Sequence, residues 1–202
     1  MENPTTKQKI TDAAILLYSE RGFDNISMRD IASAVGITAG SIYNHFKSKQ
    51  DILKGVYEFY AEEHRKVIPS LEDLYNQLEV EPVQSILMKL GNYWQPYAQN
   101  KMDRIILIAS QRIRIDEASE NFIREHFFEP IKEIWVPLLN RAIKLGKIEP
   151  VDTGVFTHLA SYCAYGAVNL NRTAMKASNK HWINMFTLLM TILKPGKNGN
   201  EQ

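Results

Sequence analysis

The segment SMRDIASAVGITAGSIYNHFKSKQDIL, residues 27–53, decides the fold of the amino-terminal part of the chain. Residues that cap helix amino termini occur at three places in it: Ser27 with Asp30, Thr38, and Ser48 with Asp51. Gly36 lies between the first two, where a residue free to adopt a positive φ ends a helix. The segment therefore predicts two short helices joined by a tight turn, and the start of a third.

Apolar residues at helical spacing give these helices one inward face, formed by Ile31, Ala32, Val35, Ile42 and Phe46. The small residues of the Ala-x-x-x-Gly spacing, Ala32 and Gly36, allow two helices to cross closely. This is typical of a helix-turn-helix, whose second helix enters the major groove of DNA. An ordinary helical hairpin fits the spacing as well, so the spacing alone leaves both interpretations open.

The rest of the chain also predicts helices. A first helix is expected from the cap at Thr5 to Gly22, and a long fourth helix continues until before Pro69. Six further segments follow with helical periodicity: 70–80, 82–99, 103–114, 119–146, 153–177 and 179–194. We expect kinks or a break at Pro130 and Pro137. No sustained period-2 stretch demands a sheet, so the predicted class is all-α.

The composition excludes several classes of protein. The chain has 202 residues, of which 45% are apolar, and a net charge of +1, so it predicts a folded globular protein without a strongly basic surface. The single cysteine, Cys163, excludes an intrachain disulfide. No signal peptide and no membrane span are predicted, so we expect a cytoplasmic protein with no membrane partner. The histidines lack metal-binding spacing and no catalytic set is discernible, so we expect no cofactor, no metal and no enzyme activity.

Residues 31–53, Ile31-Ala32 … Val35-Gly36-Ile37-Thr38-Ala39-Gly40-Ser41-Ile42-Tyr43-Asn44-His45-Phe46-Lys47-Ser48-Lys49 … Leu53, resemble the amino-terminal signature of the tetracycline-repressor (TetR) family of bacterial regulators. The resemblance covers about Ile10 to Leu53 and includes the run Glu-Arg-Gly-Phe at 20–23. The Tyr-x-His-Phe-Lys-Ser-Lys run makes it specific. The remaining three quarters of the chain match the family only in length and helical character.

The resemblance implies an architecture and a function. It implies a helix-turn-helix DNA-binding domain over 1–47 and a helical bundle for ligand binding and dimerisation over 48–202, with helix 48–67 linking the two. The implied function is a repressor that binds a palindromic double-stranded DNA operator as a homodimer and is released by a small-molecule effector. The alternative is a dimeric DNA-binding regulator that has no small-molecule effector.

The resemblance also implies DNA contacts from the second helix, the recognition helix and the start of the fourth helix: Ser27, Met28, Arg29, Thr38, Ala39, Gly40, Ser41, Tyr43, Asn44, His45 and Lys49. Helix amino termini, hydroxyls and amides are groups that contact phosphates and base edges. For Ser27, Thr38 and Ser48 a capping role alone is the alternative, and His45 is alternatively an ordinary surface histidine. Residues 1–50 carry six basic side chains against five acidic ones. Because phosphate neutralisation drives affinity, so few charges favour a dimer on a two-fold site.

The carboxy-terminal part gives weaker indications. A strip of small residues, Ala160, Ala164 and Ala167, predicts close helix contact, either across a four-helix dimer interface or within the core of one subunit. Aromatic and polar residues that are candidates to line an effector cavity are Tyr93, Trp94, Tyr97, Phe127, Trp135, His158, Tyr162, Tyr165 and Asn169. Three arginines at 104, 112 and 114 are candidates to meet an acidic ligand, or to pair with Asp116 or Glu117.

Overall fold

The computed structural model describes residues 3–93, 101–170 and 179–196. The regular structure of these residues is helical, apart from one antiparallel bridge between Ile148 and Pro195. The all-α prediction is confirmed. None of the helices in these ranges is long and apolar enough to span a bilayer. The helices are α1 (Thr6–Arg21), α2 (Met28–Val35), α3 (Ala39–Ile42), α4 (Lys49–Val67), α5 (Leu71–Val80), α6 (Val83–Tyr93), α7 (Lys101–Arg112), α8 (Glu117–Ile123), a π-helical segment (Arg124–Phe128), α9 (Glu129–Lys144), α10 (Thr153–Leu170) and α11 (Asn179–Met190).

Two compact units divide the chain. The amino-terminal unit comprises Met1–Lys66 and Gln99–Ile123, and the carboxy-terminal unit comprises Val67–Ala98 and Arg124–Gln202. The amino-terminal unit therefore contains α1 to α4 together with α7 and α8. The division of function between residues 1–47 and 48–202 stays a prediction, because compactness does not decide where each function resides.

The amino-terminal unit has an apolar core to which every one of its helices contributes. Its buried side chains include Ile10, Tyr18, Ile31, Ile42, Phe46, Ile52, Val56, Tyr60, Ile105, Ile108 and Phe122. The long α1 packs along α7 and against α2, and α2 packs against α3. This packing supports the short helices from behind and leaves their other face to solvent.

The carboxy-terminal unit is built around α9, which packs against α5, α6 and α10. Trp135 on α9 is fully buried and lies between the rings of Phe156 on α10 and Phe186 on α11, with ring centroids 6.4 Å and 5.7 Å away. Gly91 on α6 lets that helix approach the Phe186 ring closely. Aromatic rings from three helices thus fill the centre of this unit.

One expected helix start is corrected, and the two prolines expected to disturb the long helix differ in their effect. The helix expected to open at Ser119 begins at Glu117, because the Asp116 carboxylate accepts the Ser119 N–H at 2.8 Å and caps it. The predicted interruption near Pro130 takes the form of the π-helical segment just before α9, whose first turn contains this proline. At Pro137 the helix does not break, since α9 continues through it to Lys144, and a kink there stays a prediction.

The strip of small residues on α10 serves the core of its own unit. Ala160 and Ala164 are buried within the unit, where α10 packs on α9, so these two residues belong to the subunit core, while the four-helix dimer interface stays a prediction. The side chain of Ala167 lies outside the described residues. Small side chains here allow two helices of one chain to pack closely.

Candidate nucleic-acid interface

The turn between α2 and α3 has the geometry predicted from its glycine. Gly36 adopts a left-handed conformation with φ 76°, and its N–H bonds to the carbonyl of Ser33 at 3.1 Å. The next N–H, of Ile37, bonds to the Ala32 carbonyl at 3.0 Å. These bonds satisfy the end of α2 and reverse the chain within two residues. A Cβ at position 36 meets nothing within 4 Å, so the backbone conformation alone accounts for the glycine.

A reciprocal capping box fixes the start of α2. The Asp30 carboxylate accepts the Ser27 N–H at 2.7 Å and the Ser27 hydroxyl at 2.6 Å, while the Ser27 Oγ accepts the Asp30 N–H at 3.2 Å. The hydrogen bond from the Ser27 hydroxyl, followed by that from its backbone N–H, lowers the pKa of Asp30 below its ordinary value. The predicted capping role of Ser27 is confirmed, and its predicted DNA contact stays a prediction.

The start of α3 presents polar groups on an accessible surface. The Thr38 Oγ1 accepts the Ser41 N–H at 3.1 Å and lies 2.8 Å from the Ser41 hydroxyl. Thr38 and Gly40 are exposed, and Ala39 and Ser41 are half-buried. A side chain at position 40 meets only the Thr38 Oγ1, at 3.9 Å, so the fold has room for one and the glycine leaves that space open.

Helix α3, the predicted recognition helix, is shorter than expected. It ends at Ile42, so Tyr43, Asn44 and His45 lie in the turn that follows rather than on the helix itself. Backbone bonds from His45 and Phe46 to the Ile42 carbonyl, both 3.0 Å, hold this turn in place. All three side chains are exposed, Tyr43 by 55% although it is large and aromatic. An exposed tyrosine followed by two exposed polar residues is suited to contact a partner molecule.

Phe46 anchors the end of this turn to α4. It is buried, and a Cβ placed on Gly55 of α4 would lie 3.0 Å from the Phe46 ring, so Gly55 allows the ring to lie directly on the helix. The prediction that Phe46 belongs to the core is confirmed. At the start of α4 the Ser48 Oγ accepts the Asp51 N–H at 3.1 Å, while the Asp51 carboxylate accepts the Lys47 N–H at 2.9 Å.

Lys49 is engaged inside the unit. Its ammonium group donates to the Phe23 carbonyl at 2.8 Å and lies 4.3 Å from the centre of the Phe23 ring. In this arrangement the charge binds the loop between α1 and α2, and the predicted phosphate contact stays a prediction. Met28 is half-buried and Arg29 is exposed at the first turn of α2.

Three acidic side chains of α1 and the loop after it form ion pairs with α7. Three ion pairs join α1 and its following loop to that helix: Asp12 with Lys101 (2.6 Å), Glu20 with Arg104 (3.2 Å) and Asp24 with Arg112 (3.3 Å). Arg112 also pairs with Asp116, as one of the predicted alternatives had it. The sequence could not reveal the three α1–α7 pairs, because their members lie 84 to 89 positions apart.

Four of the described candidate effector residues are linked by ring contacts through Phe128: Phe127, His158, Tyr162 and Tyr165. Trp135 belongs to the aromatic centre of the carboxy-terminal unit, whereas Phe127 lies beside Phe128 and Tyr165, with ring centroids 5.2 Å and 5.6 Å away. His158 and Tyr162 are exposed on α10 and stack on each other. Trp94 and Tyr97 lie outside the described residues, as do the side chains of Tyr93 and Asn169. An effector site made of these residues stays a prediction. The described residues hold no cluster of three metal-ligating side chains.

Comparisons with known proteins agree with this geometry. The family model for bacterial regulatory proteins of the tetR family matches residues 10–56. The chain is 30% identical over 128 residues to an uncharacterized HTH-type transcriptional regulator, YerO of Bacillus subtilis (strain 168), covering 63% of this chain and 42% of that protein. It is 50% identical over 46 residues to IcaR of Staphylococcus aureus (strain Newman), a negative transcriptional regulator of the biofilm operon icaADBC, covering 23% of this chain and 25% of IcaR.

The chain thus spans less than half the length of these curated relatives. Its fold as a whole is shared with a solved structure of a gamma-butyrolactone receptor (ArpA-like protein), with a TM-score of 0.65 at 19% identity over 93% of this chain and 87% of that one. The matched segment contains the turn at Gly36, the polar start of α3 and the Phe46 anchor. The amino-terminal domain of this chain is therefore similar to that of the tetR family of bacterial regulatory proteins over residues 10–56.

Proposed function

We propose that this chain is a transcriptional regulator, and specifically a repressor, that binds a palindromic DNA operator as a homodimer. The observation that carries the proposal is the exposed surface formed by the start of α3 and the turn after it. That surface offers the Thr38 and Ser41 hydroxyls, an open space at Gly40, and the exposed Tyr43. Hydroxyl groups bond phosphates and base edges, and a missing side chain permits close approach of the double helix.

An apolar surface on the carboxy-terminal unit supports the homodimer. Val155, Leu159 and Tyr162 are exposed at positions i, i+4 and i+7 of α10 and therefore form one stripe. Leu188 and Ile192 are exposed at the carboxyl end of the chain's last helix and the turn after it. Large contiguous apolar surfaces are uncommon on monomers and mark sites of association. A second copy covers such a stripe through a two-fold interface and supplies the second DNA-binding domain.

A small-molecule effector is the less strongly supported part of the proposal. The solved structure of a gamma-butyrolactone receptor has a similar fold. In addition, the aromatic side chains of Phe127, Phe128 and Tyr165 form a cluster to which an apolar ligand can bind. An effector that binds one conformation of the dimer better than the other shifts the DNA affinity by that difference. The alternative, a regulator without an effector, predicts DNA affinity that no small molecule changes.

Selection from a random duplex library tests the DNA-binding part. The purified chain is expected to enrich a two-fold symmetric duplex whose half-site centres are separated by about one helical turn, roughly 34–36 Å. Fluorescence anisotropy should then give saturable binding that weakens steeply with salt. If no duplex is enriched and binding does not saturate, the proposal is wrong.

Tyr43→Ala tests the assigned surface. We expect affinity for the selected duplex to fall by about tenfold, which is about 1.4 kcal/mol, because an exposed contact is lost while the core is untouched. Sedimentation velocity should show the same assembly as for the wild-type chain. Val80→Ala is the matched control, since Val80 is an exposed side chain of the carboxy-terminal unit and its truncation should leave affinity unchanged. Equal affinities of Tyr43→Ala and the wild type would exclude this surface.

The effector part is tested with the same anisotropy assay. A panel of small apolar lactones, beginning with γ-butyrolactones, is titrated into the protein–DNA complex, and in parallel into free protein while its melting temperature is followed. A compound that raises the melting temperature and also releases DNA supports an effector, since ligand binding and DNA release are linked. Stabilising compounds that leave the complex intact favour the regulator without an effector.

A further inference from the structure

The loop between α1 and α2 is held by two cations that lie against one ring. Phe23 is buried, and its ring centre lies 4.3 Å from the Lys49 ammonium nitrogen and 4.0 Å from the Arg112 guanidinium carbon. The Phe23 carbonyl also accepts a hydrogen bond from Lys49. Cations at these distances from an aromatic ring are attracted to it, more strongly when water is excluded. Lys49 and Arg112 therefore fix the loop from α4 and from α7.

Arg112 is itself fixed in position. It is the last residue of α7 and is 8% exposed. Its Nε donates to Asp116 at 2.7 Å, and one of its terminal nitrogens lies 3.3 Å from the Asp24 carboxylate in the loop. The other oxygen of Asp116 accepts the Ser119 N–H at the start of α8. This bond orients the Asp116 carboxylate, which in turn holds Arg112. The guanidinium group thus has little freedom to move.

The loop that Arg112 holds determines where α2 begins. Phe23 lies next to Gly22, the residue that ends α1, and Ser27, the cap of α2, is four residues after it. Since α3 packs on α2, any shift of the loop moves the start of α3 as well. We propose that Arg112 is a positioning residue for DNA binding: it holds the α1–α2 loop through Phe23 and Asp24 and so places the recognition helix. This inference rests on the proposed DNA-binding function.

Asp24 allows this role to be separated from simple electrostatics. Its side chain is 76% exposed, so its ion pair with Arg112 adds little to stability. Removal of a negative charge from a DNA-binding unit should by itself strengthen binding to DNA. If Asp24 instead acts by holding the loop, its removal should weaken binding. The two explanations therefore predict opposite signs.

The experiment measures affinity for the selected duplex across a range of salt concentrations. We expect Asp24→Asn to weaken binding about threefold and Arg112→Met about tenfold, in proportion to the contacts each removes. The slope of log affinity against log salt should not change, because neither residue contacts phosphate, whereas a lost phosphate contact changes it by about 0.9. Arg112→Lys, which keeps the charge but only one of the two acidic partners, should restore part of the affinity.

Asp12→Asn is the matched control, because it removes the same charge from the same unit. Its ion pair with Lys101 is largely exposed and does not involve the loop, so affinity should stay the same or rise slightly. Hydrogen exchange gives a readout that does not depend on DNA. The Ile26 N–H, bonded to the Phe23 carbonyl, should exchange several-fold faster in Asp24→Asn than in Asp12→Asn.

The outcomes distinguish this inference from the function on which it rests. A wild-type chain that enriches no duplex contradicts the proposed function. If the wild type binds, and Asp24→Asn binds equally well or better, the positioning role of Arg112 is wrong while the proposed function stands. A reduced salt slope in either variant would assign the residue to phosphate contact instead. Unchanged exchange at Ile26 would show that the loop does not depend on the pair.

Discussion

The contacts that stabilise the amino-terminal unit differ from those that stabilise the carboxy-terminal unit. In the amino-terminal unit, side chains satisfy helix starts within three or four residues, as Thr5 does for Gln8 and Ser27 for Asp30. In the carboxy-terminal unit, comparable backbone groups are satisfied from far along the chain. The Gln84 amide donates to the Leu193 carbonyl, and the Lys147 ammonium to the carbonyls of Leu78 and Glu79. Each unit also has contacts of the other kind, since Ser70 and Asp152 cap α5 and α10 in the second unit and the Lys49 ammonium donates to the Phe23 carbonyl in the first.

The exposed surfaces of the two units also differ, in polarity. The exposed face of the amino-terminal unit around α3 carries hydroxyl and amide groups, whereas the exposed face of α10 carries an apolar stripe. Polar groups suit a hydrated, charged partner such as DNA, and an apolar stripe suits a protein surface. The difference suggests that the two units contact different kinds of partner, which substitutions in either unit can test.

The largest effect is expected from two charges on the α10 stripe. The double variant Val155→Glu, Tyr162→Glu should convert a dimer to a monomer, because two carboxylates would have to be buried in the interface. Operator affinity should then fall by 100-fold or more, about 2.7 kcal/mol, since one DNA-binding domain is lost from each complex. Both side chains are 64% exposed, so the subunit fold should survive. Sedimentation velocity and circular dichroism check the two expectations.

Val80→Glu is the control for this variant. Val80 is the most exposed of the large apolar residues described, at 85%, but it belongs to α5 and not to the stripe. It should leave both assembly and DNA affinity unchanged. If the double variant still sediments as a dimer, the interface does not include the α10 stripe. If the wild-type chain sediments as a monomer, the proposed homodimer is wrong.

A smaller effect is expected from two glycines, one in each unit. Gly91→Ala should lower the free energy of unfolding by about 1–3 kcal/mol, because the new methyl group overlaps the ring of Phe186, which is itself packed against Trp135. The three tryptophans, Trp94, Trp135 and Trp182, all belong to the carboxy-terminal unit, so urea unfolding followed by tryptophan fluorescence reports on it directly.

Gly40→Ala should instead raise the free energy of unfolding. There the methyl group meets only the Thr38 hydroxyl at an ordinary contact distance, and alanine has the higher helix propensity, so stability should rise by about 0.5 kcal/mol. Circular dichroism is the appropriate probe, since the amino-terminal unit has no tryptophan. If both substitutions lowered the free energy of unfolding equally, the space around each glycine would not account for their effects.

This contrast also explains how much of the molecule the sequence predicted. Caps at Thr5, Ser27 and Thr38 and the turn at Gly36 depend on neighbours three or four residues away, so pattern reasoning found them. The engagement of Lys49 with Phe23 joins residues 26 positions apart, and no periodicity marks it. In the carboxy-terminal unit, the small-residue strip correctly predicted close packing on α10. Whether it faced the core or a partner depended on where α9 lies, which composition does not encode.

The smallest effect is expected at the capping box of α2, and it should depend on pH. The hydrogen bonds from Ser27 lower the pKa of Asp30 below its ordinary value of 3.8, so the folded state favours the charged carboxylate. The stabilisation from this charge is present above the ordinary value and is lost as the pH falls through it towards the lowered one. Asp30→Asn should therefore melt at a lower temperature than the wild type above about pH 5, with the two converging near about pH 3.

Thermal melts followed by circular dichroism between these pH values measure the convergence, because the other carboxyl groups titrate alike in both proteins and cancel in the difference. Asp30→Glu is the control, since glutamate at the third helical position also completes a capping box and should keep the pH dependence. A difference that persists undiminished at low pH would assign the stabilisation to the shape of the side chain rather than to its charge. Local capping of α2 would then owe nothing to electrostatics, and the contrast between the two units would reduce to packing and hydrogen-bond geometry.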